Sequence, residues 1–257
     1  MWKHILGAKD IELRSIDSRT ANDLVRRVHY SRSVVKNSQL HIGVFYKGRI
    51  EGAMQFGPSL DKRKIQRLVE GTPWNGFIEL NRMAFTEVLP RNSESRAISI
   101  AMRLLRQHAP HIQWVVSFAD GTQCGDGTIY RASGFVLTGI KVNDQVWIDT
   151  DGKTVSRMTV TKGKHLTTGA ASMSAFQSKG FKPIAGHQLR YLYFLDPTAR
   201  QRLTVPILPF SEIAKRGAGM YRGKPRVGSS VSGTSVVQTG GGGANPTPTL
   251  NIQKNGE

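Results

Sequence analysis

Helix-like and strand-like patterns alternate along the first 145 residues, and this alternation constrains the fold more than any other feature. The clearest helix pattern covers residues 94–108, with Ser93 placed to cap it and apolar residues at helical spacing, namely Ala97, Ile100, Ala101, Leu104 and Leu105. Strand patterns lie on both sides, FIELNRMAF at residues 77–85 and WVVSF at residues 114–118. Such alternation predicts an α/β fold with a central sheet flanked by helices.

Shorter patterns extend this interpretation. In chain order they are a helix at 17–28, strands at 41–46 and 50–56 around a Lys47-Gly48 turn, a helix at 127–133 and a strand at 135–140. Ser18 or Thr20 is expected to cap the first of these helices, and Gly134 to end the second.

The charge balance indicates a polyanionic partner. The chain carries 36 Lys+Arg against 18 Asp+Glu, a net charge of +18. Such a surface attracts phosphate backbones and gains affinity by counterion release. Nucleic acid is therefore the expected partner, and a merely soluble basic surface is the alternative. We find neither an amphipathic basic helix nor a lipid-anchor motif in the sequence, so a membrane is not the expected partner.

Cysteine usage and hydropathy set the expected compartment. Cys124 is the single cysteine, which excludes an internal disulfide and a thiolate zinc cluster. The N-terminal residues show no apolar run typical of a signal peptide, and no stretch is long enough to span a bilayer. We therefore expect a cytoplasmic protein that does not attach to a membrane.

Composition changes towards the C-terminus. Residues 162–226 hold 12 Lys and Arg and two acids, a net charge of +10. We expect a catalytic core at residues 1–145, a basic extension that contacts DNA at 146–227, and a flexible tail at 228–257. The tail is rich in Gly, Ser and Pro and cannot supply a core.

The run RYLYF at residues 190–194 combines a basic residue with aromatic rings. Basic side chains would follow phosphates, and exposed rings would stack on bases. On this interpretation the DNA-binding residues are Arg190, Tyr191, Tyr193, Arg200 and Arg202. An ordinary half-buried strand is the alternative for the aromatic run.

Arg82 departs from the pattern of its strand. In strict alternation it shares the apolar face with Ile78, Leu80 and Ala84, where an unpaired charge is costly. A charge in such a place marks a candidate site, and a buried salt bridge to Asp120 without a catalytic role is the alternative.

Two further positions mark the same candidate site. Asp120 follows WVVSFA directly, at the carboxyl end of a strand, which is where ligands bind in open α/β sheets. His29, Tyr30 and Ser31 place three proton-handling groups directly after a helix pattern.

The order of elements resembles the GNAT acyltransferase fold. The resemblance rests on FIELNRMAF, the turn LPRNSESRA, WVVSFAD and the segment GTIYRASGF. It implies a mixed central sheet and a helix start that holds the pyrophosphate of acetyl-CoA or a related donor. The residues expected to bind that donor are Arg91, Ser93, Ser95 and Arg96, in a turn that lacks the family's usual glycines.

A narrower resemblance covers about residues 20–215. Five runs of this sequence resemble the Mom-type phage DNA modification proteins. In chain order they are VHYSRSVV, HIGVFYKGRIEGAMQFG, ELNRMAFTEVLPRNSESR, VVSFADGTQCGDGTIYRASGFVLTG and RYLYFLDPTARQRLTVPILPF. The resemblance implies transfer of a carbamoylmethyl (acetamido) group to adenine N6 in double-stranded DNA, which shields phage DNA from restriction. It also implies a phage-encoded protein that acts in the host cytoplasm.

The resemblance implies that the functional positions of this family fall on six residues here, which are His29, Tyr30, Arg82, Ser95, Asp120 and Tyr130. An enzyme that acts on adenine N6 is expected to flip the base out of the duplex. Asp120 would then accept the N6 proton, and Tyr130 would act as acid or hydrogen-bond donor. Arg82 would hold an anionic donor or stabilise developing charge, while Ser95 would help to bind the donor.

The residues leave the cofactor open. A small-molecule donor related to acetyl-CoA follows from the GNAT resemblance, whereas His29, Tyr30 and Asp120 also offer nitrogen and oxygen ligands that suit iron. The identity of the donor, the role of Cys124 and the oligomeric state, a dimer included, do not follow from the sequence.

Two other functions are compatible with these residues. One is a GNAT N-acetyltransferase of an amine in a protein or small molecule, which would bind acetyl-CoA and ignore DNA. The other is a DNA-binding anti-restriction protein without enzymatic activity, whose protection of DNA would survive Arg82→Ala.

Overall fold

The structure is a computed structural model that describes residues 7–157, 173–221 and 223–226. Two 3-10 helices cover Ala8–Asp10 and Pro197–Arg202. The other elements in chain order are β1 (Glu12–Ser15), α1 (Ser18–Val28), β2 (Leu40–Tyr46), β3 (Arg49–Gly57), α2 (Lys62–Gln66), β4 (Phe77–Phe85), α3 (Ser93–His108), β5 (Trp114–Asp120), α4 (Thr128–Ala132), β6 (Val136–Val142), β7 (Val146–Ile148), β8 (Thr154–Ser156), α5 (Met173–Ser178), β9 (Lys182–Pro183), β10 (His187–Phe194), α6 (Ser211–Lys215), β11 (Met220–Tyr221) and β12 (Lys224–Pro225).

A seven-stranded sheet of order β1-β2-β3-β4-β5-β10-β6 forms the centre of the molecule. Within it β4 and β5 are parallel, and each other neighbouring pair is antiparallel. The predicted α/β fold with a mixed central sheet is therefore confirmed. None of the helices in the described ranges combines the length and the apolar character needed to cross a membrane.

Helices cover both faces of this sheet. Apolar residues of α3, among them Ala101 and Leu105, pack with Tyr130 of α4 on one face. Leu24 of α1 packs on Ala53 of β3 on the other face. Beside α1 on that second face, α2 and the residues after it pack on the beginnings of β4 and β5.

The helix caps differ from the prediction. Asp17, rather than Ser18 or Thr20, caps α1, because its carboxylate accepts the Thr20 N–H at 2.9 Å. Ser93 is the first residue of α3, not its cap. The preceding residue, Asn92, has a left-handed backbone with φ of 71° and makes no side-chain cap.

The boundary predicted at residue 145 runs through a single sheet. β10 lies between β5 and β6, with Tyr191 opposite Ser117 on one side and Leu137 on the other. Because Leu189 and Leu192 of this strand have no exposed surface, residues beyond 145 complete the core instead of forming a separate extension. The predicted flexible tail at 228–257 lies outside the described residues.

Candidate active site

The candidate site lies where two neighbouring strands diverge. β4 and β5 pair only through Phe77–Leu80 and Trp114–Ser117, and beyond these residues both strands continue without pairing to each other. At the point of divergence the Ser117 hydroxyl donates to the Leu80 carbonyl at 2.8 Å. The divergence leaves a gap in the sheet, which side chains can enter from both faces.

A β-bulge decides which face of the sheet Arg82 occupies. The pairing of β4 with β3 skips Asn81, which is the inserted residue. The insertion moves Arg82 and Ala84 to the face covered by α1, while Ile78 and Leu80 stay in the core beneath α3. The prediction that all four share a face is therefore wrong, because alternation does not hold through an inserted residue.

Backbone carbonyls hold the Arg82 side chain at this gap. Its Nε donates to the Ser33 carbonyl at 2.9 Å, and a terminal nitrogen donates to the Asn81 carbonyl at 2.7 Å. Burial lowers the pKa of Arg82, and nearby Tyr30 and Glu79 oppose that shift. The salt bridges among the described residues do not include an Arg82–Asp120 pair, so the guanidinium charge stays available for a ligand.

His29 and Tyr30 reach the gap from the end of α1. Their rings lie 4.3 Å apart, and the Ser31 N–H donates to His29 Nδ1 at 3.2 Å. Burial, together with the charge of Arg82, lowers the pKa of His29 to about 4, so the imidazole is neutral near pH 7. Desolvation and the neighbouring Asp120 raise the pKa of the Tyr30 hydroxyl, which therefore keeps its proton.

The neutral state of His29 predicts a pH-dependent stability. In the unfolded chain this histidine takes up a proton near pH 6.5, but in the folded protein only near pH 4. The unfolded state therefore binds more protons in this window, and the free energy of unfolding should fall as the pH drops through it. We expect His29→Gln to remove about 2 kcal/mol of this fall, as measured by urea unfolding at about pH 7 and about pH 4.5. An equal fall in the variant and the wild type would contradict this assignment.

Asp120 is fixed at the end of β5 by the loop that follows it. Its Oδ1 accepts the Thr122 N–H at 2.9 Å and the Gln123 N–H at 3.3 Å. The Asn143 side chain donates to the same oxygen at 3.3 Å. On β5 the residues Trp114, Val116 and Phe118 pack on the α2 side of the sheet, so alternation places Asp120 on that side, with Arg82.

Tyr130 of α4 approaches the gap from the opposite face. Its side chain is buried in the core beneath α3. Burial raises the pKa of Tyr130 to about 12, although the nearby Ser117 hydroxyl lowers it in part. Tyr130 therefore keeps its proton near neutral pH and can act as a hydrogen-bond donor or acid.

Two residues of the gap were not predicted to act there. Glu79 of β4 is largely buried, and this burial raises its pKa while Ser59 and Arg82 oppose the rise. The exposed thiol of Cys124 lies near Asp120 and Tyr30, and desolvation raises its pKa. A sequence signal existed for Glu79, because a carboxylate in the middle of FIELNRMAF is as unusual as Arg82.

Three of the predicted donor-binding residues meet at the start of α3. Ser93 is fully buried with no partner for its hydroxyl, and Arg96 has a buried Nε without a partner. The Ser95 hydroxyl donates to the Asn92 carbonyl at 3.2 Å, and Arg91 is exposed in the preceding turn. No side chain caps this helix, and although the Ser93 N–H donates to the Pro90 carbonyl at 3.1 Å, the positive end of the helix suits an anionic group.

Iron ligation by His29, Tyr30 and Asp120 stays a prediction. The Nδ1 atom of His29 accepts the Ser31 N–H, so Nε2 is the ring nitrogen left to hold a metal, and the Arg82 cation in the same cluster opposes a second positive charge. Throughout the described part of the chain, no three His, Cys, Asp or Glu side chains come together in an arrangement that could hold a metal ion, so a site here would require the tyrosine as a ligand.

The residues of the run RYLYF on β10 differ in whether DNA could reach them. The prediction that Tyr191 stacks on a base is wrong, because its side chain has no exposed surface and its hydroxyl donates to the Asp126 carbonyl. Tyr193 is half-buried with its ring 5.2 Å from that of Phe135. Arg190 donates to the Thr138 hydroxyl at 3.0 Å and to the Thr138 carbonyl at 2.7 Å. A DNA contact of Arg190 stays a prediction.

The two arginines after β10 differ in their surroundings. Arg202 donates to the Glu70 carbonyl and, at 2.7 Å, to the Gln113 side chain, so its guanidinium joins separate parts of the fold. Arg200 is exposed, and its contact with DNA stays a prediction.

Comparison of the sequence with known proteins found a matching family and a similar protein of known name. The model of the Mom protein family matches residues 10–212. The methylcarbamoylase Mom of Escherichia phage Mu is 35% identical over 202 residues, which are 78% of this chain and 82% of that protein.

Solved structures with a similar arrangement of elements include two acetyltransferases. The ribosomal-protein-S18-alanine N-acetyltransferase of Escherichia coli is 10% identical with a TM-score of 0.41, over 72% of this chain and 94% of that one. The polyamine N-acetyltransferase of Drosophila melanogaster is 12% identical with a TM-score of 0.42, over 72% of this chain and 100% of that one. Both are weak similarities of shape.

Proposed function

The chain belongs to the Mom protein family, and from this membership we propose that it is a phage DNA modification enzyme that transfers a carbamoylmethyl group to adenine N6 in double-stranded DNA. The observation that supports this proposal most is the convergence of Tyr30, Arg82, Asp120 and Tyr130 at the gap between β4 and β5. The product would protect phage DNA from restriction in the host cytoplasm.

Asp120 is the proposed base. The lone pair of the N6 amine is delocalised into the adenine ring and becomes nucleophilic as a proton leaves. The amine must also be removed from the base stack, so the adenine is flipped into the gap. There the Asp120 carboxylate, held by the amides of Thr122 and Gln123, takes the N6 proton as the bond to carbon forms.

Tyr130 and Arg82 act on the leaving group. A carbamoylmethyl transfer forms an N–CH₂ bond, so N6 attacks a methylene carbon rather than a thioester carbonyl. The bond from that carbon to the leaving group breaks, and the electron pair departs with the leaving group. The Arg82 guanidinium stabilises this developing negative charge, and the Tyr130 hydroxyl supplies a hydrogen bond or a proton.

The start of α3 is the proposed binding site for the rest of the donor. α3 is the element that follows β4 in the chain, so its uncapped start comes soon after the strand that carries Arg82. Together with Ser95 and Arg96, this helix start suits a small molecule that carries phosphate or carboxylate groups, as acetyl-CoA-related donors do.

His29 and Tyr30 are proposed to position the flipped base. Tyr30 is 45% exposed and can contact the base, while the His29 ring lies 4.3 Å from the Tyr30 ring at an interplanar angle of 32°. Because His29 is neutral near pH 7, it adds no second positive charge beside Arg82.

Mass spectrometry of nucleosides from plasmid DNA co-expressed with the protein tests this proposal. We expect a deoxyadenosine that is heavier by one carbamoylmethyl group. Arg82→Met keeps a long side chain but loses the charge, and it should remove this product without changing the affinity for duplex DNA. Unmodified DNA beside soluble wild-type protein would overturn the proposal, and full activity of Arg82→Met would remove Arg82 from the mechanism.

A further inference from the structure

Leu60 stands at the rim of the candidate site, and we propose that it is an apolar wedge that enters the duplex beside the target adenine. The proposal rests on the DNA substrate proposed above. When a base is flipped out, it leaves a space in the base stack. Proteins that distort DNA fill such a space with an apolar side chain, and we assign this role to Leu60.

The position of Leu60 follows from the pairing of β3 with β4. Gly57, the last residue of β3, lies opposite Glu79 of the site. Two residues later, Ser59 is only 5% exposed and its side chain lies near the Glu79 carboxyl. Leu60 is the next residue and is 75% exposed. The chain thus leaves the site at Ser59 and presents a large apolar side chain to solvent directly afterwards.

The backbone on both sides of Leu60 is held in place. The Asn37 side chain donates to the Pro58 carbonyl at 2.8 Å, and a Cβ on Gly57 would lie only 2.5 Å from the Asn37 carbonyl oxygen. After Leu60, the Asp61 carboxylate caps α2 by accepting the Lys64 N–H at 3.4 Å. Leu60 therefore sits on a fixed corner, as a wedge requires.

Positive charge follows the wedge directly. Lys62, Arg63 and Lys64 come next in the chain, and the Lys62 ammonium lies 4.4 Å from the ring of Trp74, which is 51% exposed. Basic side chains next to an inserted residue can bind the phosphates of the duplex. An exposed leucine is common on protein surfaces, so the basic and aromatic neighbours are what make duplex DNA its expected partner.

Basic residues and an aromatic ring also lie on the side of the site formed by Tyr30 and the residues after it. Tyr30 is followed by Arg32 and Lys36, both of which are exposed. The Asn37 contact with Pro58 joins this segment to the corner that carries Leu60. A duplex lying across the gap would therefore meet positive charge on both rims, with Leu60 between its bases and Asp120 at the flipped adenine.

Permanganate footprinting of plasmid DNA tests the wedge without knowledge of the donor or the target sequence. Permanganate oxidises thymines that have lost their stacked partner, so flipped adenines appear as reactive thymines in the opposite strand. We expect the wild-type protein to create such thymines and Leu60→Ala to reduce their reactivity about tenfold. Leu60→Met should restore it.

Two control variants separate the wedge from the chemistry and from general exposure. Asp120→Asn should keep the reactive thymines, because it removes the base and not the wedge. Val142→Ala removes an aliphatic side chain that is also 75% exposed, on the edge strand β6, and should keep them too. The wedge would be overturned if Leu60→Ala left the thymines as reactive as the wild type does, or if Val142→Ala lost them equally. It would also be overturned if the wild-type protein created no reactive thymines.

Failure of the wedge and failure of the proposed function give different results. Modified deoxyadenosine together with a footprint that ignores Leu60 would leave the enzyme and discard the wedge. A Leu60-dependent footprint without modified deoxyadenosine would keep the wedge and discard the transfer reaction.

Discussion

Asp120→Asn is expected to lower the fraction of modified deoxyadenosine in co-expressed plasmid DNA by at least about a hundredfold. The amide keeps the shape of the carboxylate, and its Oδ1 can still accept the N–H groups of Thr122 and Gln123. It cannot accept the N6 proton, so the nucleophile stays weak. Nucleoside mass spectrometry measures the loss directly.

A matched control separates this chemical effect from a general effect of losing a carboxylate. Asp23→Asn removes one on the outer face of α1, where Asp23 forms an exposed ion pair with Arg26 at 2.8 Å. That variant should retain full modification, because exposed pairs contribute little to stability. Wild-type yield from Asp120→Asn would show that another group accepts the proton, and Glu79 would then be the next candidate.

Those parts of the fold that depend on local pattern could be predicted from the sequence. The observed β4, Phe77–Phe85, has the predicted bounds, and α3 begins one residue before the predicted helix and ends at the same residue, His108. Side-chain periodicity determines both elements, because the core takes one stripe of a helix and specific faces of a strand.

The place of β10 depended on contacts that no local pattern contains. Its register joins Tyr191 to Ser117 of β5 and to Leu137 of β6, which are distant in the chain. Without that pairing, the aromatic run resembled an exposed basic surface. The alternative of an ordinary strand applies to Tyr191, since neighbours on both sides bury its ring.

The candidate site was predictable by residue type and not by geometry. Arg82 stood out because charges are rare on the apolar face of a strand, and Asp120 because it lies at the carboxyl end of a strand. The bulge at Asn81, which decides the face that Arg82 occupies, depends on how β4 pairs with β3. Leu60 had no signal at all, since an exposed leucine becomes informative only beside a site.

Asp126→Asn is expected to lower the free energy of unfolding by about 3 kcal/mol. The Asp126 side chain is 2% exposed and pairs with two cations, Arg131 at 2.9 Å and Arg226 at 2.8 Å. An amide carries no charge for them, and its loss leaves the partly buried Arg131, which is 20% exposed, without the carboxylate that compensates its charge. Urea unfolding measures the difference.

The same variant should also lose DNA modification, because Asp126 ends the loop that begins at Asp120. The Asp126 N–H donates to the Met220 carbonyl at 3.0 Å, and the Gly223 N–H donates to the Cys124 carbonyl at 2.7 Å. The hairpin of β11 and β12 therefore supports the loop that orients the proposed base. Removing residues 219–257 should abolish modification, whereas removing 228–257 should leave it unchanged.

Asp144→Asn is the matched control for this cluster. Asp144 also pairs with an arginine, Arg157 at 2.9 Å, but its side chain is 44% exposed. Water screens this pair, so its loss should cost less than about 1 kcal/mol. Equal destabilisation by the two variants would mean that the burial of Asp126 does not determine how much its ion pairs contribute to the free energy of unfolding. Normal modification in an Asp126→Asn protein that is folded but less stable would show that the Asp120 loop keeps its shape without the ion cluster.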